Sequence, residues 1–443
     1  MISTPYIYRA NIAHFPKVST SPKDDLIYQK DGGLVVKGDK IIALGEYAAI
    51  KAAYPDAVTI DYSNKLIVPG LIDGHVHFPQ TEMIASYGEQ LLTWLEQYTF
   101  PTECKFSSFD YCQKMADIFL SQLVANGTTT ALAFSTVHSH SADALFAAAS
   151  KRNMAMITGK VCMDRHCPNE LSDSAESAVS DSEALIKKWH GLGRNLYAIT
   201  PRFAPTSTDA QLNALGELAA DYPDVFIQTH LSENLEEIEW VKQLFPARKS
   251  YLDVYAHFGL LRKRAVFGHC VHMTDDDWQS LADAGATAAF CPSSNLFLGS
   301  GFFDKANADK FNVNIALASD VGAGTSFNLL RTYGEAYKIS QINGAPIDAL
   351  NGLYMMTQGA AAALDLEADI GNLNPNSFAD FVVLDPHFND LSTLRIDANA
   401  ECADILFALS ILGDERCIKQ TYIAGVAQLG TTNSHKESVN AVA

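Results

Sequence analysis

Short apolar segments separated by turn residues fill the first 68 positions, as in Gly33-Leu34-Val35-Val36-Lys37-Gly38-Asp39-Lys40-Ile41-Ile42-Ala43-Leu44-Gly45. Apolar runs broken by glycine and aspartate predict a β-hairpin. From Leu66 the rhythm changes to short apolar runs alternating with stretches whose apolar positions recur at i, i+3 and i+4. That alternation marks successive βα units around a parallel sheet.

Eight runs read as strands, near Ile67–His75, Thr129–Phe134, Met154–Cys162, Leu196–Arg202, Val225–His230, Ala265–His269, Ala286–Cys291 and Val313–Asp320. Helical stretches between them include Tyr111–Ala125, Asp209–Ala220 and Asn234–Leu244, and Gly127 stands where a C-terminal cap belongs. Eight such units predict a (β/α)8 TIM barrel. Strand character returns at Gly371-Asn372-Leu373, at Ala379–Asp385 and at Cys417–Val426. The expected organisation is therefore a barrel over 69–365, a small β-sandwich domain shared by 1–68 and 366–430, and a flexible polar tail over 431–443. A doubly wound sheet is the competing architecture, but no glycine-rich phosphate loop follows an early strand.

A chain of 443 residues accommodates a barrel of roughly 250 residues with an accessory layer. Hydrophobic residues at 48% and charged ones at 19%, with no repeat, describe a globular enzyme rather than a scaffold. A formal charge of −19 opposes nucleic acid and anionic membrane surfaces as partners. The densest basic clusters, Lys187-Lys188 and Arg262-Lys263-Arg264, read as solvated helix faces. Met1 to Tyr8 lack a secretory layout and no apolar run reaches about 18 residues, so a cytoplasmic location is expected. Eight cysteines without regular spacing suit reduced, mostly buried thiols.

Barrel active sites form at the C-terminal ends of the strands, and five metal-type side chains fall there. His75 and His77 end strand one, His230 strand five, His269 strand six and Asp320 strand eight. Histidines at i and i+2 of a strand share a face, so both can reach one ion. An isolated HxH means little. His138-Ser139-His140 has the same spacing, but it lies beyond the end of strand two and is assigned to a loop without a metal role. Agreement among five strand ends is what lifts the first pair, since imidazole and carboxylate suit Zn2+.

Val68-Pro69-Gly70-Leu71-Ile72-Asp73-Gly74-His75-Val76-His77 resembles the first-strand signature of the amidohydrolase superfamily. The runs Phe78-Pro79-Gln80, Pro201-Arg202-Phe203-Ala204-Pro205, Thr229-His230-Leu231-Ser232-Glu233-Asn234, Gly268-His269-Cys270 and Ala318-Ser319-Asp320 are similar to those of the guanine deaminase family within it. The resemblance covers the whole barrel and, more loosely, the flanking β-domain. It implies a homodimer with one zinc per subunit that converts guanine to xanthine and ammonia. Binuclear relatives carry a carboxylated lysine on strand four, where this chain reads Ala198-Ile199-Thr200-Pro201-Arg202. A single ion held by His75, His77, His230 and Asp320 is the simplest arrangement. His269 is either a further ligand or a partner of the bound water, and iron suits the same ligand set.

Bound zinc lowers the pKa of water to about 7. Proton transfer then falls to Glu233, toward a ring nitrogen, and to Asp320, from the water toward the departing amine, while His269 steadies developing charge. The ordinary alternative for Glu233 is an acid in the first helical turn, favoured by the macrodipole. For substrate, Arg202 offers donors to a carbonyl, Phe203 a face to a purine base, and Gln80 both a donor and an acceptor. The aromatic segment from Phe78 to Phe106, with Tyr87, Trp94, Tyr98 and Phe100, is expected to be a lid or pocket wall. Deamination of 8-oxoguanine, a pterin or a triazine would need the same ion site, and a noncatalytic binding relative would be expected to lose the ligands. The unrelated HxE zinc deaminases also need PCxxC, and His435-Lys436-Glu437 has none after it.

Overall fold

The computed structural model describes residues 4–397 and 399–428. The polar tail over 431–443 lies outside the described residues. Eight parallel strands, each hydrogen-bonded to its sequence neighbours, form the barrel: Leu71–His77, Thr128–Phe134, Ala155–Gly159, Asn195–Pro201, Phe226–Leu231, Ala265–His269, Thr287–Phe290 and Asn314–Leu317. They are numbered one to eight below. Every expected strand has its counterpart, but strand three ends at Gly159 rather than Cys162, strand eight ends at Leu317 rather than Asp320, and the start of strand one moves. Ile67–Pro69 do not open strand one; they end a strand, Val58–Pro69, that pairs with Phe381–Leu384 in the other sheet.

Alternation along each strand sorts the core. Ile72, Leu132, Ala198, Phe226 and Val266 point into the barrel, while Val76, Ala131, Ile199, Ile227 and Phe267 pack against the outer helices. The helix Phe109–Ala125 shows why those helices form. Ser108 accepts the Tyr111 amide at its start, Cys112, Met115, Ala116, Phe119, Leu120 and Leu123 build one buried stripe, and Gly127 at φ +85° ends it. The N-terminal mouth of the barrel is plugged by Ala360, Ala361, Ala363, Leu364 and Ile370.

Strands eight and one are not joined by a ladder. The seam closes instead through Asp320 N to His75 O at 2.9 Å, His77 N to Val321 O at 2.7 Å, and Ser319 N to Asp73 Oδ1 at 3.0 Å. Barrel closure and the metal-type residues thus occupy the same place.

The chain ends form one continuous seven-stranded sheet rather than two separate sheets. It curls on itself, because Ile41 N donates to Ser377 O and Asn376 N donates to Ile41 O, bringing the edge strand Lys40–Glu46 back to the approach of Phe381–Leu384. Tyr8, Phe381 and Tyr422 pack in the fold. Gly371-Asn372-Leu373, expected as strand, is irregular; Asn372 instead bonds Gln358, Glu367 and Ile370 across the turn.

Lys187 and Lys188 lie on an exposed helix end and pair with Glu183 and Asp143. The other basic cluster is not a helix face. Arg262 donates to the carbonyls of Ala219, Tyr222 and Val225, and Lys263 and Arg264 both pair with Asp365. No described helix is long and apolar enough to cross a membrane.

Candidate active site

Strand ends deliver the five metal-type side chains to one point. His75 Nε2 and His77 Nε2 lie 3.4 and 3.3 Å from Asp320 Oδ1, and His77 Nε2 is 3.1 Å from His230 Nε2. His269 Nε2 is 3.8 Å from Asp320 Oδ2. The approach is close enough to dictate a neighbouring residue: a Cβ on Gly268 would stand 2.8 Å from His75 Cε1.

Several ring nitrogens turn toward this point. His230 Nδ1 donates to Arg202 O at 2.7 Å and His269 Nδ1 to Asn295 Oδ1 at 2.9 Å, which leaves each Nε2 bare toward the centre. Both ring nitrogens of His75 and Nδ1 of His77 have no hydrogen-bond partner among the described residues. Burial pushes the His77 imidazole down to about 3 and that of His230 well below the usual range. Burial alone would raise the Asp320 carboxyl, but contacts from His75 and His77 outweigh it and hold it well below the usual carboxylate range. Neutral imidazoles around a carboxylate are a donor set fit for a divalent cation. Cys291, not foreseen in the sequence, lies within reach of the same group beside His75, His269 and Asp320.

Beside the cluster opens a cavity enclosing about 410 Å³, part of it open to solvent, lined by Gln80, Trp94, Arg202, Phe203 and Glu233 among others. Leu91, Trp94 and Leu95 bring the aromatic segment into its wall, whereas Tyr87 is exposed. Phe203 stands edge-on to Trp240 with centroids 6.2 Å apart.

Glu233 lies ahead of the helix Leu235–Leu244, whose N-cap is Asn234, so it is not a first-turn acid. Its Oε1 accepts from Ser300 Oγ at 3.0 Å and its Oε2 is 3.3 Å from His269 Nε2. Burial and the nearby charge of Asp320 push its carboxyl up to about 8. Behind it, Glu237 accepts from the amides of Glu233 and Asn234 and from the Tyr251 hydroxyl.

Arg202 and Gln80 meet at a residue that sequence reasoning missed. Glu103, fully buried, accepts from Arg202 Nη1 at 2.7 Å and from Gln80 Nε2 at 3.4 Å. Its segment carries four glutamates, Glu82, Glu89, Glu96 and Glu103, and no spacing marks the one that turns inward. Glu237 did leave a trace, since Asn234 and Glu237 form the N-x-x-E pattern of a capping box. The second HxH is not a loop: His138 stands at the N-cap position of the helix Ser139–Lys151 without a side-chain bond to it, His140 sits in the first turn, and His140 Nε2 bonds Phe106 O.

A catalytic barrel of this construction, with its ion donors at the strand ends and a polar cavity above them, matches the family model described as Amidohydrolase family over residues 66–427, and the chain belongs to that family. A shorter model, described as imidazolonepropionase-like composite domain of bacteria, matches residues 32–57. The guanine deaminase of Escherichia coli (strain K12) is 48% identical over 401 residues, 90% of this chain and 91% of that protein. The solved structure of E. coli guanine deaminase aligns with a TM-score of 0.94 at 45% identity, covering 96% of this chain and 100% of that one. The structure of guanine deaminase from C. acetobutylicum with bound guanine in the active site gives 0.87 at 29% identity, with the same coverage.

Proposed function

We propose that this chain hydrolyses guanine to xanthine and ammonia, with one Zn2+ per chain held by His75, His77, His230 and Asp320. The observation that carries this reading is the convergence of the histidine and aspartate donors with Gln80, Arg202, Phe203 and Glu233 around a single cavity. The E. coli and C. acetobutylicum relatives support the choice of substrate. A homodimer in the cytoplasm completes the proposal.

When bound, zinc would supply the Lewis acidity that lowers the pKa of a water molecule to about 7. The remaining work belongs to the chain. Arg202 donates to the C6 carbonyl of the base and Phe203 packs on the ring, an orientation that turns C2 toward the donor cluster. Glu233, protonated near neutrality, delivers its proton to the ring nitrogen beside C2 as water oxygen bonds to that carbon. Asp320 accepts a proton from the attacking water and passes it to the exocyclic nitrogen; the C2–N bond breaks, ammonia leaves, and the remaining hydroxyl proton returns to Glu233 as the C2 carbonyl forms. His269, 3.3 Å from Glu233, stabilises the charge that develops between them.

Elemental analysis together with ammonia release from a panel of purines and pyrimidines tests the proposal. About one zinc per chain is expected, with guanine the best substrate and activity lost in His75→Ala and His230→Ala. Two metals per chain, or full activity after exhaustive chelation, would contradict the single-ion site.

A further inference from the structure

We propose that Glu103 is the positioning residue that sets how the pocket reads its ligand, by fixing the polarity of the Gln80 amide and compensating the charge of Arg202; the proposal rests on the reading of these two residues as substrate contacts. Glu103 belongs to the helix Phe100–Cys104, well beyond the end of strand one in sequence, yet its carboxylate is fully buried between the two side chains. A carboxylate only accepts, so the end of Gln80 that faces it is the NH2 group. At the other end the Gly322 amide donates to Gln80 Oε1 at 3.3 Å. An acceptor at one end and a donor at the other permit a single orientation of the amide. The base therefore meets a defined donor and acceptor, not an amide free to flip and suit either edge.

The same carboxylate forms a buried ion pair with Arg202, whose side chain also lines the cavity. An uncompensated guanidinium there would attract anions above neutral carbonyls. Paired with Glu103, Arg202 keeps hydrogen-bond donors for a neutral C6 carbonyl while the local charge is cancelled. Glu103 thus selects neutral purines against anionic ones of the same shape.

Glu103→Gln tests this, with steady-state kinetics on guanine and calorimetric binding of urate, a purine that is an anion at neutral pH. The variant should lose roughly 10²-fold in guanine kcat/KM, mainly through KM, because Gln80 and Arg202 are no longer held in place. Urate should bind about 10-fold more tightly, as an anion gains a charge-assisted contact with Arg202. Glu103→Asp keeps the charge but shortens the reach, so it should raise the guanine KM without tightening urate. A merely structural ion pair would weaken guanine and urate together. Parallel weakening in Glu103→Gln, no change in either ligand, or urate tightening in Glu103→Asp would each overturn the proposal. Urate binding needs no turnover, so it decides the role of Glu103 even if guanine proves not to be the substrate.

Discussion

Asp73 accepts both the amide and the hydroxyl of Ser319, at 3.0 and 2.5 Å, and so ties strand eight to strand one two residues before His75 and next to Asp320. The pair is fully buried. Ser319→Ala removes the hydroxyl donor and leaves one carboxylate oxygen unsatisfied, which should cost about 1–3 kcal/mol of stability. Zinc occupancy should fall as well, because the seam that aligns His75 with Asp320 loosens. Urea denaturation and metal content read the two effects, and a stable, fully loaded variant would count against the seam's role.

Gly268→Ala is expected to act through His75. The added methyl would meet the imidazole at 2.8 Å, a contact that neither buried strand can relieve by moving. Overpacking of this kind costs roughly 1–3 kcal/mol, and here it displaces His75, a proposed ligand. Metal affinity should drop more than thermal stability does, as competition with a chromogenic chelator would show.

Glu233→Gln should keep fold and metal while losing roughly 10²–10⁴ in kcat, since an amide cannot transfer the proton. The wild type adds a pH test with a definite sign. Burial and Asp320 push the Glu233 carboxyl up to about 8, and the proposed mechanism requires its acid form. Activity should therefore be sustained at neutrality and fall as pH rises through about 8, with the limb absent from the residual rate of Glu233→Gln. Single-turnover kinetics across pH 6–10 would reveal it.

Stability should depend on pH through His14, far from the site. Its Nδ1 accepts the Leu373 amide at 3.2 Å, and burial pushes the imidazole from 6.5 down to about 4. Because the unfolded chain takes up the proton first, this group contributes nothing above about pH 6.5 and lowers stability as pH falls toward 4. The loss should reach about 2 kcal/mol by pH 5. Buried Glu233, raised to about 8, shifts stability the other way over the same range, so the His14 contribution is read as the difference between wild type and His14→Gln in denaturant curves at pH 7.5 and 5.

The strand ends were legible because each donor closes an apolar run, so pattern and chemistry marked the same residues: His75, His77, His230, His269 and Asp320. The start of strand one was not, since Ile67, Val68 and Pro69 continue the apolar run into Leu71 and only their pairing with Phe381–Leu384 separates them. Arg262 looked like a solvated cation because its partners are carbonyls, which no side-chain pattern records. Glu103 was hidden for a related reason. Its two contacts are made by side chains from distant segments, while its own sequence, Phe100-Pro101-Thr102-Glu103-Cys104, carries no motif that marks it.

The most direct test of the account is the ratio of kcat/KM for guanine to that for adenine in the zinc-loaded wild type. Adenine has no C6 carbonyl, so Arg202 would lose its acceptor inside a desolvated pocket, and a site built around such a contact can reject the analogue by roughly 10⁴-fold or more. A ratio of about that size is expected, collapsing in Arg202→Leu through loss of guanine activity. Equal or faster turnover of adenine by the wild type would contradict it.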